Sequence, residues 1–179
     1  MRKLFQLKAL SFFVCALLMS SAAMAQDKPQ PSPRDSVSGT INGATISINY
    51  GAPSVRERVI FGGDKPLEAY GKIWRAGANQ MTTFTTSKDI TVEGKTLPAG
   101  KYSFFATPGE TEWTIIFNSV TGQWGIHRDG TANDDPAKDV LVVKVKASKH
   151  ELTERLKYVI GKKGFSLVWE NVEVPVKVK

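Results

Sequence analysis

Residues 36–50 read SVSGTINGATISINY. Val37, Gly39 and Ile41 alternate with polar neighbours, and Ile46, Ile48 and Tyr50 do so again after Asn42-Gly43. Alternation with a period of two marks a half-buried strand, and Asn-Gly supplies the positive φ angles of a two-residue hairpin turn. The stretch therefore predicts a β-hairpin with strands near 36–41 and 44–50. Period two continues along most of the chain. Thr82–Thr86 and Ile90–Val92 are predicted strands, with turns at Glu93-Gly94 and at Leu97-Pro98-Ala99-Gly100. Lys101–Thr107 and Trp113–Asn118 form a second predicted hairpin around Pro108–Thr111. Val140–Val145, Leu156–Ile160, Phe165–Trp169 and the alternating Val172, Val174, Val176 and Val178 complete the set. Pro175 has no N–H to donate, so the last strand is expected at an edge or with that position facing outward. One short helix is predicted over Lys149–Leu156, with Ser148 as its N-cap. About eight to ten short strands without βα alternation indicate an all-β fold, an antiparallel β-sandwich or jelly-roll-like barrel in a single domain.

The N-terminus has a different character. Arg2, Lys3 and Lys8 precede an apolar run, Ala9–Met19, and Ala23-Met24-Ala25 has the pattern of an export cleavage site. Residues 1–25 are expected to be a signal peptide cleaved after Ala25, giving a periplasmic or extracellular protein. The apolar run is shorter than the roughly 20 residues of a membrane-spanning helix, so no span is expected. Residues 26–35 are polar and rich in proline, a predicted flexible leader before a β-domain over 36–179.

Cleavage would also remove Cys15, the single cysteine, and with it any disulfide, thiol nucleophile or thiolate metal site. The remaining chain must rely on its core, and at that size about 68–70% of the unfolded surface is buried on folding. The whole chain has 24 Lys+Arg against 17 Asp+Glu; without Arg2, Lys3 and Lys8 this becomes 21 against 17, a net charge of +4. The bases are scattered, so no nucleic-acid partner is expected.

Residues 51–80 interrupt the alternation with Gly51, Pro53, Gly62-Gly63, Pro66, Gly71 and Gly77. A connection this long inside one domain is usually functional, or else holds elements that its pattern does not reveal. Within it, Trp74 has two readings, as a ligand-stacking indole or as a core anchor. Arg75 and Asn79 are candidates for hydrogen bonding to a ligand, or for pairing with a carboxylate and tying the loop. Arg56, beside Glu57 and Arg58, suits an anionic ligand or an exposed ion-paired turn. Trp124 and His127 sit in a second polar, Gly-containing loop. His127, with Asp129 two residues on, is a candidate for a catalytic base or a metal ligand. Neither HxH, HxxxH nor HExxH spacing occurs, and the calcium-loop, GxSxG and phosphate-loop patterns are absent, so no metal and no cofactor are expected.

Several segments together resemble the DUF2911 family, exported proteins of unknown function from Bacteroidetes-type bacteria. They are Ser36–Gly39, Ile48–Arg56, Ile60–Gly63, Tyr70–Asn79, and the run from Leu97 through Ser103 to Trp113–Asn118. The resemblance spans most of residues 35–178. It implies an exported β-domain and implies no activity. The expectation is an exported β-sandwich that binds rather than catalyses. Its partner would be a small ligand, a glycan or an envelope protein, in an oligomeric state the sequence leaves open. The candidate ligand-binding residues are Arg56, Trp74, Arg75, Asn79, Trp124 and His127. The alternatives are a hydrolytic enzyme using His127 as base, and an envelope structural protein that pairs through an exposed strand edge.

Overall fold

The computed structural model describes residues 30–179. The expected signal peptide, and the first residues of the expected leader, lie outside them. The described chain is built from ten strands and one short 3-10 turn, Pro136–Lys138. β1 (Arg34–Ile41) and β2 (Ala44–Gly51) are the predicted hairpin. Asn42 and Gly43 have φ of 48° and 79°, the left-handed pair that a tight hairpin turn requires. β3 (Thr83–Thr86), β4 (Ile90–Val92) and β5 (Lys95–Leu97) follow. β6 (Gly100–Thr107) and β7 (Glu112–Asn118) form the second predicted hairpin, and β8 is Asp139–Lys146.

One antiparallel sheet has the order β1-β2-β3-β6-β7-β8. Its period-two alternation sorts the side chains. Ile46, Ile48, Tyr50, Phe84, Phe104, Ile115, Phe117 and Val143 face inward and are buried. The outer free edge of β8 is partly covered where Lys95 Nζ donates to Val142 O at 3.1 Å. Among the described residues, no helix is long and apolar enough to cross a membrane.

The second layer is a single ribbon, β9 (Ser148–Gly161) against β10 (Gly164–Lys177). Here the structure corrects the sequence reading. The predicted helix over Lys149–Leu156 is strand, and the separate strands expected at 156–160 and 172–178 belong to these two long ones. Lys149 and Thr153 lie in antiparallel register with Val172 and Glu170 of the partner strand, and this cross-strand pairing, not any periodicity of the stretch itself, makes it strand. Pro175 lies past Glu173, the last residue of β10 in register with β9.

β10 is not straight. Fourteen extended residues would separate its ends by about 45 Å. Instead the Val178 N–H donates to Lys163 O at 2.9 Å, and a Cβ on Gly164 would run into the Val176 carbonyl. The strand doubles back at Glu170, whose φ is 53° and which lies between two register shifts. The fold-back carries Trp169 into the interior, where it is fully buried.

The core lies between the six-stranded sheet and this doubled ribbon. Phe84 and Phe104 meet Phe165 at 5.3 and 5.8 Å between ring centroids, and Phe104 meets Tyr158 at 5.9 Å. At one end four aromatics converge. Trp74 stacks on Trp169 at 5.7 Å and 21°, and Phe61 sits edge-on to Trp74, Trp113 and Trp169. Trp74 is 3% exposed, and its indole N–H donates to Gly77 O at 3.1 Å. Its backbone pairs with Ala106 through two hydrogen bonds of 2.8 and 2.9 Å, extending the sheet beside β6 beyond the end of β3. The two readings of Trp74 are thus resolved in its position: it is a core anchor at a corner, with no face open to a ligand.

Removing such an indole leaves a large cavity, and Trp74→Ala is expected to cost about 3–5 kcal/mol. The midpoint of urea unfolding, monitored by circular dichroism, checks this; a midpoint unchanged from the parent would contradict the core role.

Candidate functional site

The outer face of the six-stranded sheet carries the polar half of the alternation. Ser36, Asn49, Thr83, Ser103 and Asn118 are successive cross-strand partners, forming one polar row over β1, β2, β3, β6 and β7. Beside it lies a small apolar patch of Met81, Phe105 and Ile116, covered in part by Ala132. Residues 79–81 and the segment 119–134 meet beside this face.

Their junction is close. Gln80 and Trp124 form an antiparallel bridge. Gly125 N donates to Asn79 O at 3.3 Å, and Met81 N donates to Gln123 O at 3.4 Å. Arg75 packs so tightly on Gly125 that a Cβ there would overlap the Arg75 side chain. Asn118, 1% exposed, anchors the loop that carries Trp124. Its Nδ2 donates to Asp135 O and Asp139 Oδ1, both at 2.8 Å, and its Oδ1 accepts from Val120 N at 2.9 Å. The Asn133 amide donates to Trp124 O at 3.0 Å, closing the loop from the other side.

Together these segments and the sheet enclose an open groove of about 520 Å³. It is lined by Arg34, Asn49, Gln80, Thr83, Lys101 and Trp124, with Met81, Gly122 and Gln123. Trp124 is 52% exposed, against 3% for Trp74, and it forms part of the groove wall. The Gln123 amide donates to Val120 O at 3.2 Å, while its Oε1 is buried without a partner. Arg34 donates to Met81 O at 3.5 Å, at the long end of the hydrogen-bond range.

The six expected site residues divide. Trp124 lines the groove. Arg75 and Asn79 lie beneath its rim: Asn79 donates to Ser32 O at 3.1 Å, and Arg75 supports Gly125. Trp74 faces the core on the other side of the sheet. Arg56 belongs to another turn, where its guanidinium donates to Pro31 O at 3.3 Å and its N–H to Glu154 Oε1 at 3.0 Å. His127 lies in an exposed reverse turn, its N–H bonded to Thr131 O and its carbonyl to Gly130 N. Asp129 is held by Thr131 at 2.7 and 3.0 Å. Among the described residues no hydrogen bond joins the His127 ring to a hydroxyl or carboxylate.

The leader also differs from expectation. Ala52 N donates to Pro33 O at 2.9 Å, and β1 begins at Arg34, so residues 31–35 are held against the domain. Reading Arg34 as leader hid it from the site. Asn49 and Thr83, in contrast, were findable: both fall on the polar side of strands that the alternation identified.

A second cleft, of about 680 Å³, is lined by Leu67, Glu68, Lys72, Ile73, Asp129 and Asp134 among others. The Glu68 carboxyl is pushed up to about 7, chiefly by burial, against the attraction of Arg75 and then Arg58. Burial in turn lowers the pKa of Arg75, and its Nε has no hydrogen-bond partner. Asp134 is raised to about 6 by burial, then by Asp139 and Asp135. No group of three or more His, Cys, Asp or Glu side chains among the described residues is placed to hold a metal ion.

The Glu68 shift has a sign. A carboxyl raised from 4.5 to about 7 in the native state favours folding below pH 4.5 and withdraws that stability as pH rises through 7. Glu68→Gln is therefore expected to raise the melting temperature at pH 8 and to lose most of that advantage at pH 5. Equal gains at both pH values in thermal unfolding would show that the charge is not the cause.

A family model described as "Protein of unknown function (DUF2911)" matches residues 32–178. No curated protein and no solved structure matches the chain.

Proposed function

The chain belongs to the DUF2911 family, and from that premise we propose that it is an exported binding module that holds a glycan in the groove beside Trp124. The observation that carries this reading is the half-exposed indole of Trp124 set against a polar sheet face. An apolar ring face set in a polar groove wall is what a sugar ring packs on. The rest of the wall supplies the other half of the recognition. The amides of Asn49 and Gln80 and the hydroxyl of Thr83 offer donors and acceptors within one groove, as sugar hydroxyls demand.

The support beneath the groove favours a preformed site. Asn118, Asn133 and Gly125 fix the Trp124 loop by hydrogen bonds and close packing that need no ligand. Preorganisation of this kind lowers the entropic cost of binding. Export follows from the predicted signal peptide and would place the groove where envelope or environmental polysaccharides occur.

Trp124→Ala is expected to abolish retardation in native gels cast with soluble polysaccharides, with an unfolding midpoint close to that of the parent. Retardation of the variant equal to that of the parent would overturn the reading, as would a parent protein that no polysaccharide retards.

A further inference from the structure

The groove has a charge character that its polar lining alone does not require. Its charged lining residues are Arg34 and Lys101, and no carboxylate lines it. Neither cation is neutralised elsewhere: the one salt bridge among the described residues is Lys144 to Glu112, at 2.9 Å. Asp35, next to Arg34 in sequence, is turned to the opposite face of β1. There it accepts from the Tyr50 hydroxyl at 3.1 Å and from Ser36 N at 2.7 Å. Asp89, near the start of β6, accepts from Ala99 N at 2.8 Å. The nearby acids are thus engaged away from the groove while the bases enter it. Burial also lowers the pKa of the Arg34 guanidinium, the mark of a cation partly removed from water.

The placement of the two cations bears on ligand size. Arg34 opens β1, and Lys101 stands on β6, with β2 and β3 between. Three inter-strand steps of about 4.8 Å put their backbones at least ~14 Å apart across the sheet. Both side chains reach the same groove from opposite flanks. A single small anion would be met by one of them; a chain with repeated acidic groups is met by both.

Resting on the glycan reading above, we infer that the groove selects acidic saccharides: a sugar ring packs on Trp124 while carboxylate or sulfate groups along the chain are met by Arg34 and Lys101. The Arg34 guanidinium presents a planar fork suited to either oxyanion, and the Lys101 ammonium acts as a point charge.

The experiment measures binding of the full mature chain to polygalacturonate, to dextran sulfate and to neutral dextran, by calorimetry at two salt concentrations. Binding to one or both acidic polymers is expected to exceed dextran binding by tenfold or more, the two acidic arms telling carboxylate from sulfate. Arg34→Ala and Lys101→Ala are each expected to weaken acidic binding by about tenfold, the effect of losing one charge-assisted contact. Both exposed changes should leave the unfolding midpoint in place. Lys163→Ala, in the β9–β10 turn away from the groove, should leave affinity unchanged. If Lys163→Ala weakens acidic binding as much, the effect is general surface charge and the inference falls. Dextran binding equal to acidic binding, or an acidic preference that survives the Arg34→Ala/Lys101→Ala double change, also overturns it while leaving the glycan groove standing. Failure of all three polymers to bind overturns the inference, and if neutral glycans beyond dextran also fail, the glycan reading with it.

Discussion

The fold turns on one buried indole. Trp74 belongs to the irregular connection between β2 and β3, yet its side chain is the plug at the end of the core. It is enclosed by Phe61, Trp113 and Trp169, and its N–H is satisfied three residues on at Gly77 O. Its backbone borrows a place beside β6. A buried aromatic with paired backbone on one side and stacked rings on the other leaves little freedom to its neighbours. Arg75, one residue on, must therefore point to the opposite face of the sheet. The next residue, Ala76, returns to the core, where its carbonyl accepts from Tyr158 at 2.8 Å and from Thr82 at 3.1 Å. An apparent loop is thus held as firmly as a strand, by a different set of bonds.

From that constraint the outer face is assembled. With Trp74 fixed inward, Arg75 lies under Gly125, and residues 79–81 run along the Trp124 loop. The groove is not a property of either loop alone. It needs the corner to present one wall, Asn118 to anchor the base of the other, and the polar row of the sheet as its floor. Gly125 is required for a steric reason, since any Cβ would occupy the space of the Arg75 stem.

Much of the fold was readable because burial imposes period two wherever one sheet face meets a core. The Asn42-Gly43 hairpin and the β6–β7 pair follow from it directly. The long ribbon was not readable as such. Ser148-Lys149-His150-Glu151 is polar throughout, so it has no periodicity to separate helix from strand, and pairing with β10 decides the matter. The doubling of β10 is equally silent in sequence, because Glu170 is an unusual residue for a positive φ. The site was half legible. Trp124 stood out as a large aromatic in a polar loop, and the whole segment 70–80 stood out as irregular. Which of its residues face the solvent was fixed only by Trp74 and its stacked partners. Arg34 and Lys101 gave no signal, since an arginine after prolines and a lysine on a strand are ordinary surface residues until a register brings them to one groove.

That register also sets the charge of the groove. Arg34 and Asp35 are adjacent and opposite in sign, so one faces out and the other in. Asp35 is fixed inward by the Tyr50 hydroxyl, whose own pKa burial pushes up to about 12, which keeps it a neutral donor. The pairing of Asp35 with Tyr50 belongs to the same ladder as Ile41 with Ala44, whose ends are joined by the Asn42-Gly43 turn. A slip of one residue in that ladder would bring the carboxylate to the groove and drive the guanidinium toward the core, against both desolvation and the hydrogen bond to Tyr50. The tight turn at one end of the hairpin and the buried phenol at the other therefore specify, between them, that the outer face is cationic at this edge. The electrostatics of the groove are a consequence of the core.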